Sequence, residues 1–287
     1  ISKLSDKNIY GIDVDDQMVM LATLNMLLNG DGNAKILSKK GMGSLESKFS
    51  SEGDLIDLIP NVNKDGNWDT RTDGKKLKKF DVVLTNPPFG EDRAFSPKDT
   101  REKEIIECYE LWNKYQGSGK KINKVDLGVL FLENAVRILK TNGRMGIVLS
   151  NSLASIDAHR KLREWIFEKL RVVATFDLPS STFAETQVNT TLLLAYKPET
   201  ENLIKLQKDN YDVFVKDIKN IGYEIKTSKR VRFFSPIYQI DYTSFETKID
   251  EKGNPQLLED FTTTISEFKE WVSSQEIKMK EIFLSKK

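Results

Sequence analysis

One cysteine, Cys108, and one histidine, His159, are all that 287 residues hold of either type. A single thiol excludes an internal disulfide framework and any multi-cysteine zinc site, and it suits a reducing cytoplasm. A single imidazole leaves no histidine-centred metal site or triad, so no metal is expected. No apolar run approaches the length needed to cross a bilayer, and Ile1-Ser2-Lys3-Leu4-Ser5 does not read as a signal peptide. An excess of one charge is missing too, since 44 Lys and Arg face 43 Asp and Glu for a net +1. A nucleic-acid surface would therefore have to be local. Its candidates are Lys75, Lys76, Lys78 and Lys79; Lys120, Lys121 and Lys124; and Lys226, Lys229, Arg230 and Arg232. Taken alone, each such cluster is more often a solvated face than a phosphate track.

What is present supports a folded core. Hydrophobic residues make up 39% and charged residues 30%, and the length fits one large α/β domain with a tail, or two small domains. The first two-thirds alternates strand-like and helix-like segments, the pattern of a parallel sheet wrapped by helices. Asn8 to Asp13 reads as a short buried strand. The helix after it should turn Met20, Leu21, Leu24, Leu27 and Leu28 to one face and stop at Asn29-Gly30. Residues 31–79 read as irregular, with a short strand near Lys35–Leu37. Phe80 to Leu84 (FDVVL) reads as the clearest buried strand and runs into Asn86-Pro87-Pro88-Phe89, where two prolines end it.

A long connection over 91–124 is expected to hold a helix around Glu102–Tyr115. Asp126 should cap a helix carrying Leu130, Phe131, Asn134, Ala135 and Ile138, with Gly143 at its C-terminal end. Arg144–Ser150, Val172–Leu178 and Thr190–Tyr196 read as strands, and Asp157 opens a helix with Leu162, Trp165, Ile166 and Leu170 inward. From about Pro198 the composition turns polar. Asp212–Ile218 reads as a strand, Ile221-Gly222-Tyr223 as a tight turn and Leu257–Val272 as an amphipathic helix. The expected division is a core over 1–197 and an extension over 198–287 that does not fold by itself.

Two short stretches point to chemistry. Asn86 closes a parallel strand at its carboxyl end, where ligands sit in open α/β sheets. Successive prolines stiffen the backbone and remove two N–H donors, leaving the Asn86 side chain and nearby carbonyls as fixed acceptors. An exocyclic aromatic amine is a poor nucleophile because its lone pair is delocalised into the ring. If Asn86 Oδ1 and the Pro87 carbonyl each accept one amino hydrogen, the nitrogen moves toward tetrahedral geometry and the lone pair is freed. The Phe89 ring can stack on the base that carries the amine. A rigid strand-ending turn is the plain alternative, and the position after FDVVL favours chemistry. In Tyr10-Gly11-Ile12-Asp13, a strand-terminal carboxylate is suited to accept from both hydroxyls of a ribose. Asp13 is equally suited to cap the next helix, a task that Asp15 could take instead. Cys108 and His159 have no catalytic context, Trp112 and Trp165 read as core, and Phe183 reads as packing more readily than as a base contact.

The ordered set of segments resembles the amino-methyltransferases that carry an Asp/Asn-Pro-Pro-Tyr/Phe signature, above all the methylation subunit of type I restriction–modification systems. YGIDVDDQMVMLATLNMLLNG resembles that family's second motif and its helix, and FDVVLTNPPFG its catalytic motif. DLGVLFLENAVRILKTNGRMGIVLSNS is similar to its next helix and strand. FDLPSSTFAETQVNTTLLLAYK and VFVKDIKNIGYEIKTSKR are similar to the regions that follow. The resemblance implies an α/β, Rossmann-like S-adenosylmethionine-dependent methyltransferase sheet with its last strand antiparallel. It implies methylation of the adenine N6 amine in double-stranded DNA, on a base turned out of the duplex. Asp13 would bind the cofactor ribose, Asn86 and Pro87 the amine, and Phe89 the base. An acidic residue near the methyl donor would be Asp54, although Gly43-Ser44-Leu45 fits better by position. A specificity subunit and a restriction subunit are the implied partners, with the C-terminal region as the docking candidate.

One departure from the pattern is plain. The family's first strand and glycine-rich loop precede the YGID segment, whereas Ile1–Ile9 contains no glycine. That strand would lie between the YGID and FDVVL strands, so both should carry unpaired backbone groups. The expectation is a partial cofactor site, completed by further polypeptide or by something else that fills the gap. The same signature also serves methyltransferases of rRNA guanine and of glutamine side-chain amides, and a domain that only binds DNA or a partner is the third reading.

Overall fold

The computed structural model describes residues 8–58, 77–88, 94–116, 123–155, 157–183 and 188–284. The chain forms two compact units. The first comprises residues 1–80 and 94–138, the second residues 81–93 and 139–287.

In the first unit, β1 (Tyr10–Asp13) and β2 (Lys35–Ser38) pair in parallel, joined through helix α1 (Asp16–Leu28). Asp15 accepts the Gln17 N–H at 2.8 Å and caps α1, while Asn29 closes it and Gly30 takes φ +82°. The helix is where the 3.6-residue period placed it, but its apolar face is not buried. Leu24 is 49% exposed and Leu28 77%, and no residue of α1 is buried. The physical reason is area: α1 lies on a two-stranded sheet, which covers too little of it. For the same reason β1 is half-buried rather than buried.

β3 (Ser47–Phe49) and β4 (Leu55–Asp57) form an antiparallel hairpin that the irregular composition of 31–79 concealed. β5 (Phe80–Thr85) begins at the edge of this unit and continues into the second. β6 (Ala94–Phe95) pairs with β7 (Val125–Asp126). The helix expected over 102–115 is two helices, α2 (Thr100–Glu107) and α3 (Glu110–Gln116), broken at Cys108-Tyr109. α4 (Leu127–Ile138) starts where Asp126 Oδ1 accepts the Gly128 N–H at 2.7 Å. Ile105, Ile106, Leu111, Leu130 and Leu132 form the centre of the core, and the Tyr109 hydroxyl donates to the Leu45 carbonyl at 2.9 Å.

The second unit is built on a five-stranded sheet in the order β11-β9-β10-β8-β5. Its strands are β8 (Leu139–Ser150), β9 (Arg171–Leu178), β10 (Thr190–Tyr196), β11 (Phe214–Asp217) and β5. β10 runs antiparallel to β8 and β9, as expected, and β11 runs parallel to β9. Gly143 does not end a helix: it lies inside β8, and the left-handed residue there is Asn142, at φ +62°. α5 (Asn151–Ser155) follows β8, and α6 (Arg160–Lys169) buries Leu162, Trp165 and Ile166. FDVVL is a strand but not a buried one. Only Val83 is buried, Val82 is 43% exposed and Leu84 77%. Among the described residues β5 is a sheet edge hydrogen-bonded to β8 alone, so no second described strand covers its side chains.

The expected boundary at 197/198 falls inside this unit. After α7 (Thr200–Lys208) the chain re-enters the sheet as β11. Val173, Phe176 and Tyr196 of the sheet then share one hydrophobic cluster with Ile218, Val272 and Met279. The last two belong to α8 (Phe261–Ser273) and α9 (Ile277–Phe283). α8 begins four residues later than the periodicity placed it, because Leu257 bridges to Tyr238 instead. Between β11 and α8 a separate antiparallel ribbon, β12 (Tyr223–Ser228) and β13 (Val231–Pro236), stands apart from the main sheet.

Candidate active site

The Asn-Pro-Pro turn leaves the carboxyl end of β5. Asn86 is exposed, Pro87 is buried and Pro88 half-buried. Burial of a proline ring fixes the backbone on which the preceding side chain is mounted. Among the described residues, no side chain or backbone group hydrogen-bonds the Asn86 amide. Phe89 lies outside the described residues.

Asn86 shares its unit with a set of polar groups at the carboxyl ends of β8 and β9. Thr191 Oγ1 lies 2.6 Å from Asn151 Oδ1 and 2.7 Å from Asp177 Oδ1. One hydroxyl proton cannot serve two acceptors. Turning the Asn151 amide, so that its nitrogen donates to Thr191 while Thr191 donates to Asp177, satisfies all three. Ser150 and Ser152 hydroxyls meet at 2.9 Å beside them. Sequence reasoning missed this group. Its signal was the run of polar residues, Ser150-Asn151-Ser152, directly after a buried strand.

In the other unit, Asp13 stands exposed at the end of β1. One carboxylate oxygen accepts the Asp15 N–H at 2.9 Å, and Asp15 does the capping of α1. The second oxygen is left to solvent. Asp54 sits in the tight β3–β4 turn, where the Ser50 N–H donates to the Asp54 carbonyl at 2.8 Å and Gly53 takes φ +92°. Its side chain is exposed. Asp57, three residues on, is the engaged carboxylate. Lys39 pairs with it at 2.8 Å, the Ser47 hydroxyl donates at 2.9 Å and Arg101 approaches at 3.4 Å. Burial works against its ionisation, but these donors outweigh burial and hold its carboxyl below the usual range.

Other singled-out residues fall into structural roles. Cys108 is buried at the end of α2, donates to the Glu104 carbonyl at 3.3 Å, and has its thiol pushed up by burial. His159 is half-buried at the N-terminal cap of α6. Trp112 and Trp165 are core, at 7% and 2% exposure. Phe183 is half-buried and lines an open groove of about 490 Å³ with Ser180, Lys219 and Tyr223. No group of metal-ligating residues is found among the described residues, and no described helix is long and apolar enough to cross a membrane.

The frame of the second unit is a mixed sheet in which β10 runs antiparallel to both its neighbours. Residues 7–183 match the Eco57I restriction-modification methylase family, and the chain belongs to that family. S-adenosylmethionine is the cofactor this membership implies. Asp13 fits such a ligand, since its free oxygen faces solvent at a strand end.

The chain is 25% identical over 254 residues to the Escherichia coli type II restriction enzyme and methyltransferase RM.Eco57I, covering 86% of this chain and 23% of that protein. It is 28% identical over 152 residues to the Geobacillus stearothermophilus type II methyltransferase M.BstVI, covering 53% and 23%. The chain thus spans less than a quarter of the length of these curated relatives. Among solved structures, the methyltransferase subunit of a Streptococcus thermophilus type I restriction–modification system is similar at 19% identity and a TM-score of 0.43, over 70% of this chain and 42% of that one. A class I S-adenosylmethionine-dependent methyltransferase from Listeria monocytogenes is similar at 17% identity and a TM-score of 0.45, over 71% and 47%.

Proposed function

We propose that this chain carries the catalytic residues of a DNA methyltransferase that modifies the N6 amine of adenine within a restriction–modification system. The observation that carries the reading is the presentation of Asn86: exposed at the end of β5, mounted on a buried proline and unengaged by any described residue. Asn86 Oδ1 and the Pro87 carbonyl accept the two amino hydrogens, and Phe89 stacks on the base. Asp13 accepts from the ribose hydroxyls of S-adenosylmethionine. The cofactor supplies an electrophilic methyl group on a sulfonium centre. No covalent enzyme intermediate and no metal is needed. Asp54 is the better placed acid to meet the cofactor, because Asp57 is already engaged by Lys39, Ser47 and Arg101.

Membership of a restriction–modification methylase family supports DNA as the substrate. The order of the sequence segments supports the modification subunit of a type I system, with separate specificity and restriction subunits. The segment 198–287 would hold the docking surface, and its exposed Tyr242, Phe245 and Ile249 are its candidates. A methyl-transfer assay offering duplex DNA, rRNA and protein substrates tests the activity, with methyladenine in DNA as the expected product. Methylation of rRNA or of a glutamine amide in place of DNA would overturn the reading. Co-purification of a separate specificity subunit tests the type I assignment.

A further inference from the structure

The β12–β13 ribbon is an antiparallel hairpin of two six-residue strands closed by a two-residue loop. Ser228 pairs with Val231, so Lys229 and Arg230 alone form the turn. Both have positive φ, +50° and +68°. A tight hairpin turn of this kind requires that geometry at both central residues, and Asn-Gly is the sequence that adopts it most readily. A lysine and an arginine here place two cations at the tip in a backbone region unfavourable to both. Strain of this kind, held by the surrounding structure, is characteristic of ligand-contacting segments.

The charge around the tip is one-sided. Residues 223–236 hold Lys226, Lys229, Arg230 and Arg232 against one carboxylate, Glu224, which pairs with Lys226 at 2.9 Å. Exposed aromatic rings accompany them, with Phe233 at 45% and Phe234 at 54%. The base of the ribbon is fixed while the tip projects. The Tyr223 hydroxyl donates to the Thr182 carbonyl at 2.9 Å, the Tyr223 and Phe234 rings meet at 4.8 Å, and every residue from Lys226 to Phe234 is exposed. Alongside the base runs the open groove, where Lys219 joins Arg232 and adds one further cation to its walls.

We propose that the β12–β13 ribbon is a duplex-DNA contact, entering the major groove with Lys229 and Arg230 at its tip and the flanking cations toward the phosphates. This rests on the reading of the chain as a DNA methyltransferase and adds a binding element to it. The major groove of B-DNA, about 12 Å wide, admits a two-stranded ribbon. The major groove of A-form RNA is too deep and narrow for side chains to read, which selects DNA over RNA. A positively charged, strained tip on a rigid base has no comparable use against a neutral protein surface.

The test uses the full chain and a double variant, Lys229→Asn with Arg230→Gly. This pair removes both tip charges while giving the turn its preferred residues, so the hairpin should be at least as stable as before. Binding to a short synthetic DNA duplex is measured by fluorescence anisotropy over a salt series, with thermal unfolding alongside. The variant should bind about tenfold more weakly, and the slope of log affinity against log salt should become shallower by about 2, because two cations no longer displace counterions from the duplex. Unchanged affinity and slope in a variant that unfolds no earlier would overturn the ribbon's role and leave the methyltransferase reading standing. An equal loss toward duplex RNA or polyglutamate would show a general anion surface and overturn the DNA-groove assignment. No binding of duplex DNA by the unaltered chain would overturn both.

Discussion

Arg171 and Glu276 are 105 residues apart in sequence and joined at 3.3 Å, with the arginine wholly buried. The guanidinium also lies 3.9 Å from the centre of the Tyr211 ring, and Glu276 accepts from the Tyr196 hydroxyl at 3.1 Å. This ties the start of α9 to the first residue of β9. Glu276→Ala strands a buried charge, and removing one partner of such a pair costs about 3–5 kcal/mol. Equilibrium urea unfolding reads the loss. A change below about 1 kcal/mol would mean that the ring and backbone partners suffice for Arg171.

Glu133 gives a pH dependence whose sign can be worked out. Its side chain is fully buried on α4, accepts the N–H groups of Glu110 and Leu111 at 2.7 Å each, and pairs with Arg137 at 2.9 Å. Burial raises its carboxyl above the ordinary 4.5, more than Arg137 and the two N–H groups lower it. Below 4.5 the group is protonated in folded and unfolded chains alike. As pH rises from there to the raised folded value, the unfolded chain releases the proton first, so stability falls across that window. Glu133→Gln should abolish this part of the pH profile. A variant profile parallel to that of the parent would place the titration elsewhere.

Asn86→Ala should abolish methyl transfer while thermal unfolding stays close to that of the parent, because an exposed side chain without described partners contributes little to stability. Asn86→Asp keeps an acceptor oxygen at the same place and should retain part of the activity. Near-normal turnover by the alanine variant would sink the assigned role of the turn.

Asp13→Ala should weaken S-adenosylmethionine binding by about 1–3 kcal/mol through loss of a charged acceptor. Because Asp15 and not Asp13 caps α1, helix content measured by circular dichroism should be unaffected. Unchanged calorimetric affinity in the folded variant would leave Asp13 with only the Asp15 N–H to serve.

Phe89→Ala should lose base stacking worth about 1–3 kcal/mol and weaken DNA binding more than cofactor binding. Phe89→Tyr and Phe89→Trp should keep most of the activity, since any flat ring meets the requirement. Alanine performing as well as tyrosine would refute stacking.

Local pattern determined a good deal of this protein by itself. The alternation of apolar runs placed β5, β9 and β10, and the helical period placed α1, α4 and α6, since strand and helix formation answer to periods of two and 3.6 residues. The caps at Asp15 and Asp126 were legible because a short acidic side chain before a helix meets a nearby free N–H. The Asn-Pro-Pro turn at the end of β5 was equally plain. Burial was another matter. Leu24, Leu28 and Leu84 have apolar side chains in regular elements and are exposed, because burial depends on which neighbours the topology supplies. Only the tertiary structure decided that β11, α8 and α9 complete the core of the second unit. Pairings such as Arg171 with Glu276 close over a hundred residues of chain, and no local period encodes them. It decided likewise that Lys229 and Arg230 share a tight turn at the tip of a ribbon. In sequence they were one basic cluster among three, and the pairing of Ser228 with Val231 is what sets them apart.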